Sequence, residues 1–566
     1  MGLLFLWMMG VKIKAGGAEN FLKISMAGFG ISISVAGFIS LFGPTDSLVN
    51  LGFSVLSFAV IIRFIALRQM NFSLKLPHRA SWKSLIFSMP LLIILAFSIF
   101  MASMLPQIKD TWFYHLQAIK WIEEYGAVKG LGNFFSNAAY NSGVFIGNAV
   151  FSLKPLIGQN YFAVNAFLWI STLLYAILRS IRNSEENDFK SIFIESFVIL
   201  MVYRYFHLWI SSSSPDPASA SILIFCYFMV RDMMKNEVQL NDKIVLSTLF
   251  ILLITIKLSN CIFIIPAAFL LYSCKEAFTA KKIYLAVLPL FILTPWLIRN
   301  VILTGYLFYP FHSPDLFNFD WKIPQIQVIY EEMLIRSWAL KAILPDAPVS
   351  FFPVLNWFPA WFEMIGLQIR ILLLATIISM LTLVIFFFRR HRKMNRSYLI
   401  FWISCIITLI FWFLTAPSPR FVLGLLIITL MLPLESFSFN NRLLAFKALS
   451  AILVFALLIF SLQPQFSGEM QHYPSKFGFI KPPSFPNANV RNATINSISF
   501  NYADPAVSLE SYDATLPCTP QIRKGLTMRG TEISSGFRIN PDLAGSEEEN
   551  FKSIKKYYQS QSTLNQ

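Results

Sequence analysis

The chain has 566 residues, of which 56% are hydrophobic and 13% charged, with a net charge of +16 and a mean hydropathy of +0.59. A soluble domain carries about 25% charged residues, so a surface built for water is excluded and lipid is the main solvent. The positive balance suits cytoplasmic loops, anionic lipid or a phosphate-bearing ligand. A nucleic-acid partner is not expected, because the basic residues are scattered between apolar runs and form no basic domain.

The opening stretch, MGLLFLWMMGVKIK, is apolar and then basic, the reverse of a secretory signal, and is too short to span a bilayer. It reads as an anchor-like tail or as a start inside a longer reading frame. A span takes about 20 apolar residues. Runs that meet or approach that length fall near 22–43, 48–67, 85–105, 161–179, 191–210, 218–231, 244–257, 260–273, 283–302, 368–388, 398–415, 420–434 and 443–462. The short runs 244–257 and 260–273 predict a tight pair or a re-entrant hairpin. The expected fold class is an all-α polytopic membrane protein with about thirteen transmembrane helices. Residues 1–84 hold accessory spans, 85–462 the membrane core, and 463–566 a small extracytoplasmic region rich in Pro, Ser and Asn.

Basic segments set the direction. Segment 68–83 holds Arg68, Lys75, Arg79 and Lys83 without an acid, and segment 389–396 reads RRHRKMNR. Segments 179–190, 231–243 and 274–282 also carry Lys and Arg, and the span count puts all five on one side, the cytoplasmic side by the positive-inside rule. The N-terminus is then cytoplasmic. Loops 106–160, 211–217, 303–367 and 416–419 and the tail lie outside, so the long segments share one face. Segments of that length commonly carry function.

In the first outer loop, Asp110 sits just past the membrane edge. Residues 111–125 predict a helix with Trp112, Leu116, Ile119 and Ile122 on one stripe and Gln117, Lys120 and Glu124 towards the other side. Such a helix is expected to lie in the interface with its aromatics at headgroup level. Asp110 reads either as a helix N-cap beside an aromatic belt or as a working carboxylate. His115 reads as an interfacial histidine or as a site residue.

Further along, Asp216 in SSSSPDPASA is either an ordinary helix start or a second acid facing Asp110 across an outer cavity. Arg204 and His207 near the outer end of their span either face a cavity or snorkel, and Glu195 lies nearer the cytoplasmic end. Arg299 and Asn300 close the span before the largest outer loop, and Arg420 opens a later span from the same face. Both arginines suit a phosphate, whose oxygens match the planar guanidinium fork, or a lipid headgroup. Segment 325–343 predicts an amphipathic helix that could cover an acceptor, with Glu331 and Glu332 off its apolar stripe on a solvated face. The five cysteines make no CxxC pair and no disulfide framework. No P-loop, GxGxxG or HExxH motif occurs, so ATP hydrolysis and nicotinamide chemistry are not expected.

A span followed at once by an outer Asp and a helix resembles the C-type glycosyltransferase superfamily, which includes protein O-mannosyltransferases, lipid A aminoarabinose transferases and oligosaccharyltransferase catalytic subunits. DTWFYHLQAIKWIEEYGAVKGLGN (residues 110–133), WLIRNVILTGYLFYP (296–310) and LPCTPQIRKGLTMRG (516–530) are similar to a narrower family of bacterial multi-pass membrane proteins related to them. TAPSPRF (415–421) is similar to the Arg-aromatic motif that opens a late span in many such transferases. The resemblance covers most of the chain from about residue 85.

It implies a glycosyltransferase of the bacterial inner membrane. Such an enzyme moves a sugar, with inversion, from a polyprenyl-phosphate donor to an extracytoplasmic glycan, lipid or protein acceptor. Asp110 would be the base, with His115, Asp216, Arg299, Asn300 and Arg420 contacting substrate, Arg420 above all the carrier phosphate. Many relatives have two adjacent acids where this chain has Asp110 and Thr111. That puts a paired-acid metal site in doubt and leaves a divalent cation as the one cofactor in question. The other readings are a transporter or flippase for a lipid-linked glycan, and a non-catalytic scaffold of the cell envelope.

Overall fold

The computed structural model describes residues 1–8, 17–66, 82–235, 239–274, 282–340, 354–390, 395–436, 444–466, 483–504, 508, 510–520, 523–540 and 542. Much of the basic segments 68–83, 274–282 and 389–396, and Phe477 and Phe479 of the tail, lie outside these residues.

Among the described residues, nine helices are long and apolar enough to cross a membrane: Ala18–Ile39, Ser47–Ala66, Ser84–Ala102, Ala163–Glu185, Phe189–Trp209, Pro215–Lys235, Val287–Thr304, Leu367–Ile385 and Arg396–Thr415. The remaining apolar runs fold as the shorter helices Leu240–Ile256, Leu258–Tyr272 and Leu423–Glu435 and as Leu444–Phe466. Among the described residues, the shorter helices reflect breaks at polar positions. Leu240–Ile256 ends at Lys257, whose backbone is extended (φ −151°), and the chain turns at once into the next helix. A comparable break at Ala416–Pro419 separates Arg396–Thr415 from Leu423–Met431.

Pro215–Lys235 and Leu240–Ile256 form the centre, with nearly every residue from Asp216 to Arg231 and from Ile244 to Ile256 buried. Ala18–Ile39, Ala163–Glu185, Phe189–Phe206 and Leu423–Met431 pack around them. On the periphery, Ser47–Ala66 exposes Leu51, Val55, Phe58 and Ile62, and Leu367–Arg390 exposes Ile371, Leu374, Ile378 and Leu381. Apolar faces of this extent suit hydrocarbon and not water.

At the other end from the long loops, ion pairs tie the bundle together. Arg179 is fully buried and binds Glu195 at 2.7 Å. Arg231 reaches Glu195 and Glu435, each at 2.5 Å. Arg182 joins Asp232 at 2.8 Å and Glu19 at 2.7 Å. Buried charges persist only when paired in this way. Glu195 is therefore accounted for as a structural acid.

The tail departs from the all-α expectation. Val490–Ile495 and Ile498–Ala503 form an antiparallel hairpin, Cys518–Thr519 adds in parallel to its second strand, and Leu526–Met528 pairs with Phe537–Ile539. These strands do not build a core of their own. Ile498, Phe500, Leu526 and Phe537 share one cluster with Trp121, Leu131, Phe134 and Phe135 of the first outer loop. Phe537 N–H donates to the Lys129 carbonyl at 2.9 Å. Gly130, with φ +64°, sits so close that any Cβ would run into the Phe537 carbonyl oxygen.

Candidate functional site

The breaks in the bundle gather charged residues at one cavity of about 1040 Å³. Asp110 begins the Thr111–His115 turn, which has the wide π geometry often found at functional sites. Asp216 lies in the first turn of Pro215–Lys235, Lys257 at the end of Leu240–Ile256, and Arg420 in the Pro419–Phe421 turn. All four line the cavity, as do Tyr114, His115 and Asn300.

Asp110 makes no side-chain capping bond. Its Oδ2 instead lies 3.3 Å from Arg420 Nη1, and Arg420 Nε lies 3.6 Å from Asp216 Oδ2. Asp216 Oδ1 also accepts from Lys257 Nζ at 2.6 Å. Two carboxylates and two cations thus alternate across the cavity wall. Lys257 and Arg420 both lie over the Phe421 ring, with Lys257 Nζ 3.7 Å from its centroid. Asp110 keeps a third of its side chain exposed, but to a cavity walled by protein. Withdrawal from water raises its carboxyl above the usual carboxylate range, Arg420 opposes that rise, and Asp216 adds to it.

His115 is 1% exposed, and burial pushes its imidazole down to about 3, with Asp216 opposing and Arg420 adding. The ring is therefore neutral at physiological pH. Its Nδ1 is sealed from solvent and has no hydrogen-bond partner among the described residues. Desolvation, then Asp110, lifts the Tyr114 phenol well above its ordinary value, so it remains a hydroxyl.

The tail closes over this turn. Ser511 and Tyr512 N–H groups donate to the Trp112 carbonyl at 2.9 and 3.1 Å. Gln117 Nε2 donates to the Tyr512 and Ala514 carbonyls, and Lys120 Nζ to Asp513 Oδ1 at 2.9 Å and the Ala514 carbonyl at 2.8 Å. Tyr512 packs on Trp112 and has φ +38°, a backbone region that costs a non-glycine residue about 1–3 kcal/mol. The helix expected at the membrane interface is instead buried from Leu116 to Glu123. Its polar side, Gln117 and Lys120, meets the tail and not headgroups, because backbone carbonyls there satisfy both.

Other expectations are corrected by position. Arg299 is 2% exposed and does not line the cavity. Its Nε donates to Asn141 Oδ1 at 3.1 Å and its Nη1 to Ser40 Oγ at 2.7 Å. A guanidinium buried this deeply must find acceptors inside the protein, so it pins helix ends and faces no phosphate. Asn300 does reach the cavity, with Nδ2 donating to the Leu307 carbonyl. Glu331 is buried on the Tyr140 hydroxyl, and Glu332 accepts from His312 at 2.7 Å, so neither forms a free solvated face. Arg204 and His207 lie elsewhere, Arg204 over the Phe460 ring and His207 on the Arg204 carbonyl.

Two cavity residues escaped the sequence. Lys257 is a lone cation at the junction of two short apolar runs, a signal in itself, since an ionisable group at such depth marks a site. Arg336 of Gln325–Ala339 lines the cavity beside Trp338, and makes no ion pair among the described residues. The donors present do not fit a metal ion. Asp110 and Asp216 are engaged by Arg420 and Lys257, and no group of three His, Cys, Asp or Glu side chains gathers among the described residues.

These features define a multi-helix protein whose apolar helices are built to cross a membrane and whose charged cavity forms where the helices break. The chain belongs to the family described as a domain of unknown function (DUF8201), which matches residues 1–427. No curated protein and no solved structure matches the chain.

Proposed function

We propose that the protein is an inverting glycosyltransferase that takes a sugar from a polyprenyl-phosphate donor and passes it to an extracytoplasmic acceptor. The observation that carries this reading is the pairing of Asp110 with Arg420 in a large cavity whose wall is part charged and part apolar. An amphipathic donor needs both kinds of wall. Phe411, Leu414 and Trp338 suit an isoprenoid chain, and Arg336, Lys257 and Arg420 suit its phosphate.

The Asp110 carboxylate takes the proton of the acceptor hydroxyl as its oxygen attacks the anomeric carbon. The bond from that carbon to the phosphate oxygen breaks, and the electron pair leaves with the phosphate. General-base help of this kind is worth about 10²–10⁴ in rate. Cations at the departing phosphate stabilise the charge that develops there. The neutral His115 forms uncharged wall beside the bound sugar, and Asp216 holds Arg420 and Lys257 in place.

In this reading the protein sits in a bacterial inner membrane with its N-terminus cytoplasmic and its tail outside. The four other apolar helices complete about thirteen crossings. The test is carrier release from a panel of polyprenyl-phosphate sugars by protein in lipid nanodiscs. Release that is lost in Asp110→Asn, with the fold intact, supports the reading. Release that persists in Asp110→Asn overturns the assignment of the base, and no release from any donor turns the reading towards transport or scaffolding.

A further inference from the structure

We infer that the 510–514 strap of the C-terminal tail is a working part of the site, holding the Asp110–His115 turn so that both side chains face the cavity. This rests on the reading of Asp110 as the working carboxylate. The strap lies well beyond residues 1–427, yet Ser508 and Glu510 line the same cavity as Asp110.

The contacts are directional. Two successive strap N–H groups converge on one carbonyl, that of Trp112, inside the wide turn. Gln117 and Lys120, one and two helical turns further on, grip the strap carbonyls from the same helix. The Trp112 ring is held between Tyr512 and Phe485 at 5.4 and 5.1 Å. Position and rotation of the turn are therefore fixed from outside the membrane bundle, and Tyr512 keeps a positive φ to do it. The groups around Asp110 itself are Arg420, Asp216 and Tyr114. None of them belongs to the strap, so the strap acts on Asp110 by placing its backbone. Gln117, Lys120 and Tyr512 are accordingly positioning residues. Glu510, whose carboxylate accepts from the Ser508 hydroxyl and makes no ion pair among the described residues, is the strap's own group at the cavity wall.

The test uses full-length protein in nanodiscs and needs no ligand. The protonated Asp110 carboxyl is followed by infrared difference spectroscopy over a pH titration, its band assigned by its loss in Asp110→Asn. Backbone hydrogen exchange is read in parallel. In a Gln117→Ala, Lys120→Met double variant, exchange across 109–117 should rise at least about tenfold, since bonds to a charged donor are lost. The Asp110 midpoint should fall towards the ordinary carboxylate range as water enters. Exchange in Ala163–Glu185 should not change. A merely structural contact would leave the midpoint where it is, and that result, with the spans intact, overturns the proposal. Should the double variant loosen the spans as well, Asp513→Ala decides by the same criteria, because it removes only the exposed partner of Lys120. Absence of carrier release from the wild type bears on the transferase reading alone, since the midpoint is read without transfer.

Discussion

Lys257 Nζ lies 2.6 Å from Asp216 Oδ1, joining two residues 41 positions apart at the broken ends of neighbouring helices. Both are largely withdrawn from solvent, at 17% and 7% side-chain exposure. Removing one partner of such a pair leaves a buried charge, with a penalty of about 3 kcal/mol or more. Lys257→Met should therefore destabilise the protein by about that amount, and Lys257→Met combined with Asp216→Asn by less than the sum of the two single changes. Denaturant unfolding of the four proteins of this cycle in one detergent measures the coupling. Additive losses would mean the pair contributes nothing specific.

Asp110→Asn keeps the shape of the side chain and removes its basicity. Transfer should fall by about 10²–10⁴, with thermal stability nearly unchanged because Asp110 caps no helix. Arg420→Lys keeps the charge but not the fork that spans both carboxylates. It should reduce transfer less than Arg420→Gln does. Single-turnover rates separate the two effects.

The pH dependence of transfer follows from the raised Asp110 carboxyl. A base works only when ionised, so activity should rise with pH through the folded-state value of Asp110, which lies above the ordinary carboxylate range. In Arg420→Gln the cation that opposes the rise is gone, and the activity limb should move to still higher pH. A limb that moves to lower pH would contradict this assignment.

Glu123 gives a stability prediction of opposite character. Burial pushes its carboxyl up to about 7, although Lys154 and Asn160 oppose the shift. A folded-state value above the unfolded one means that the stabilising contribution is full below about 4.5 and is lost as pH rises through about 7. The shift corresponds to about 3 kcal/mol. Glu123→Gln should flatten the stability profile between those pH values, as read by unfolding midpoints at a series of pH values.

Gly130→Ala tests the docking of the tail. Its backbone has φ +64°, and a Cβ would meet the Phe537 carbonyl oxygen. Limited proteolysis should cut the tail of this variant faster while the bundle resists. Arg299→Lys, by contrast, should lower the melting temperature more than it lowers transfer, since Arg299 lies off the cavity and bears on it only through Asn141.

The apolar runs made the bundle legible in the sequence, because nothing but lipid accommodates such composition. Asp110, Asp216 and Arg420 were legible too, each being a charged residue beside a span end on the same face. That Asp216 faces Asp110 was one of two readings the sequence allowed, but the bridging of both by Arg420 was not legible, since it depends on breaks whose geometry no local pattern encodes. Arg299 misled because proximity to a span end does not reveal which way a guanidinium turns, and its acceptors, Ser40 and Asn141, are distant in sequence. The amphipathic stripe of 111–125 was read correctly as one apolar side. What lay against Gln117 and Lys120 was hidden, because backbone carbonyls of the tail have no residue-type signature.

The buried ion pairs at the far end of the bundle set terms for biogenesis. Arg231 enters the membrane environment long before its partner Glu435 is synthesised, and the hydroxyl of Tyr227 awaits the same carboxylate across 208 residues of chain. Until then the nascent Pro215–Lys235 segment holds a guanidinium whose full set of partners does not exist. That end of the bundle therefore completes its charge pairing only once the Leu432–Ser436 turn has been made.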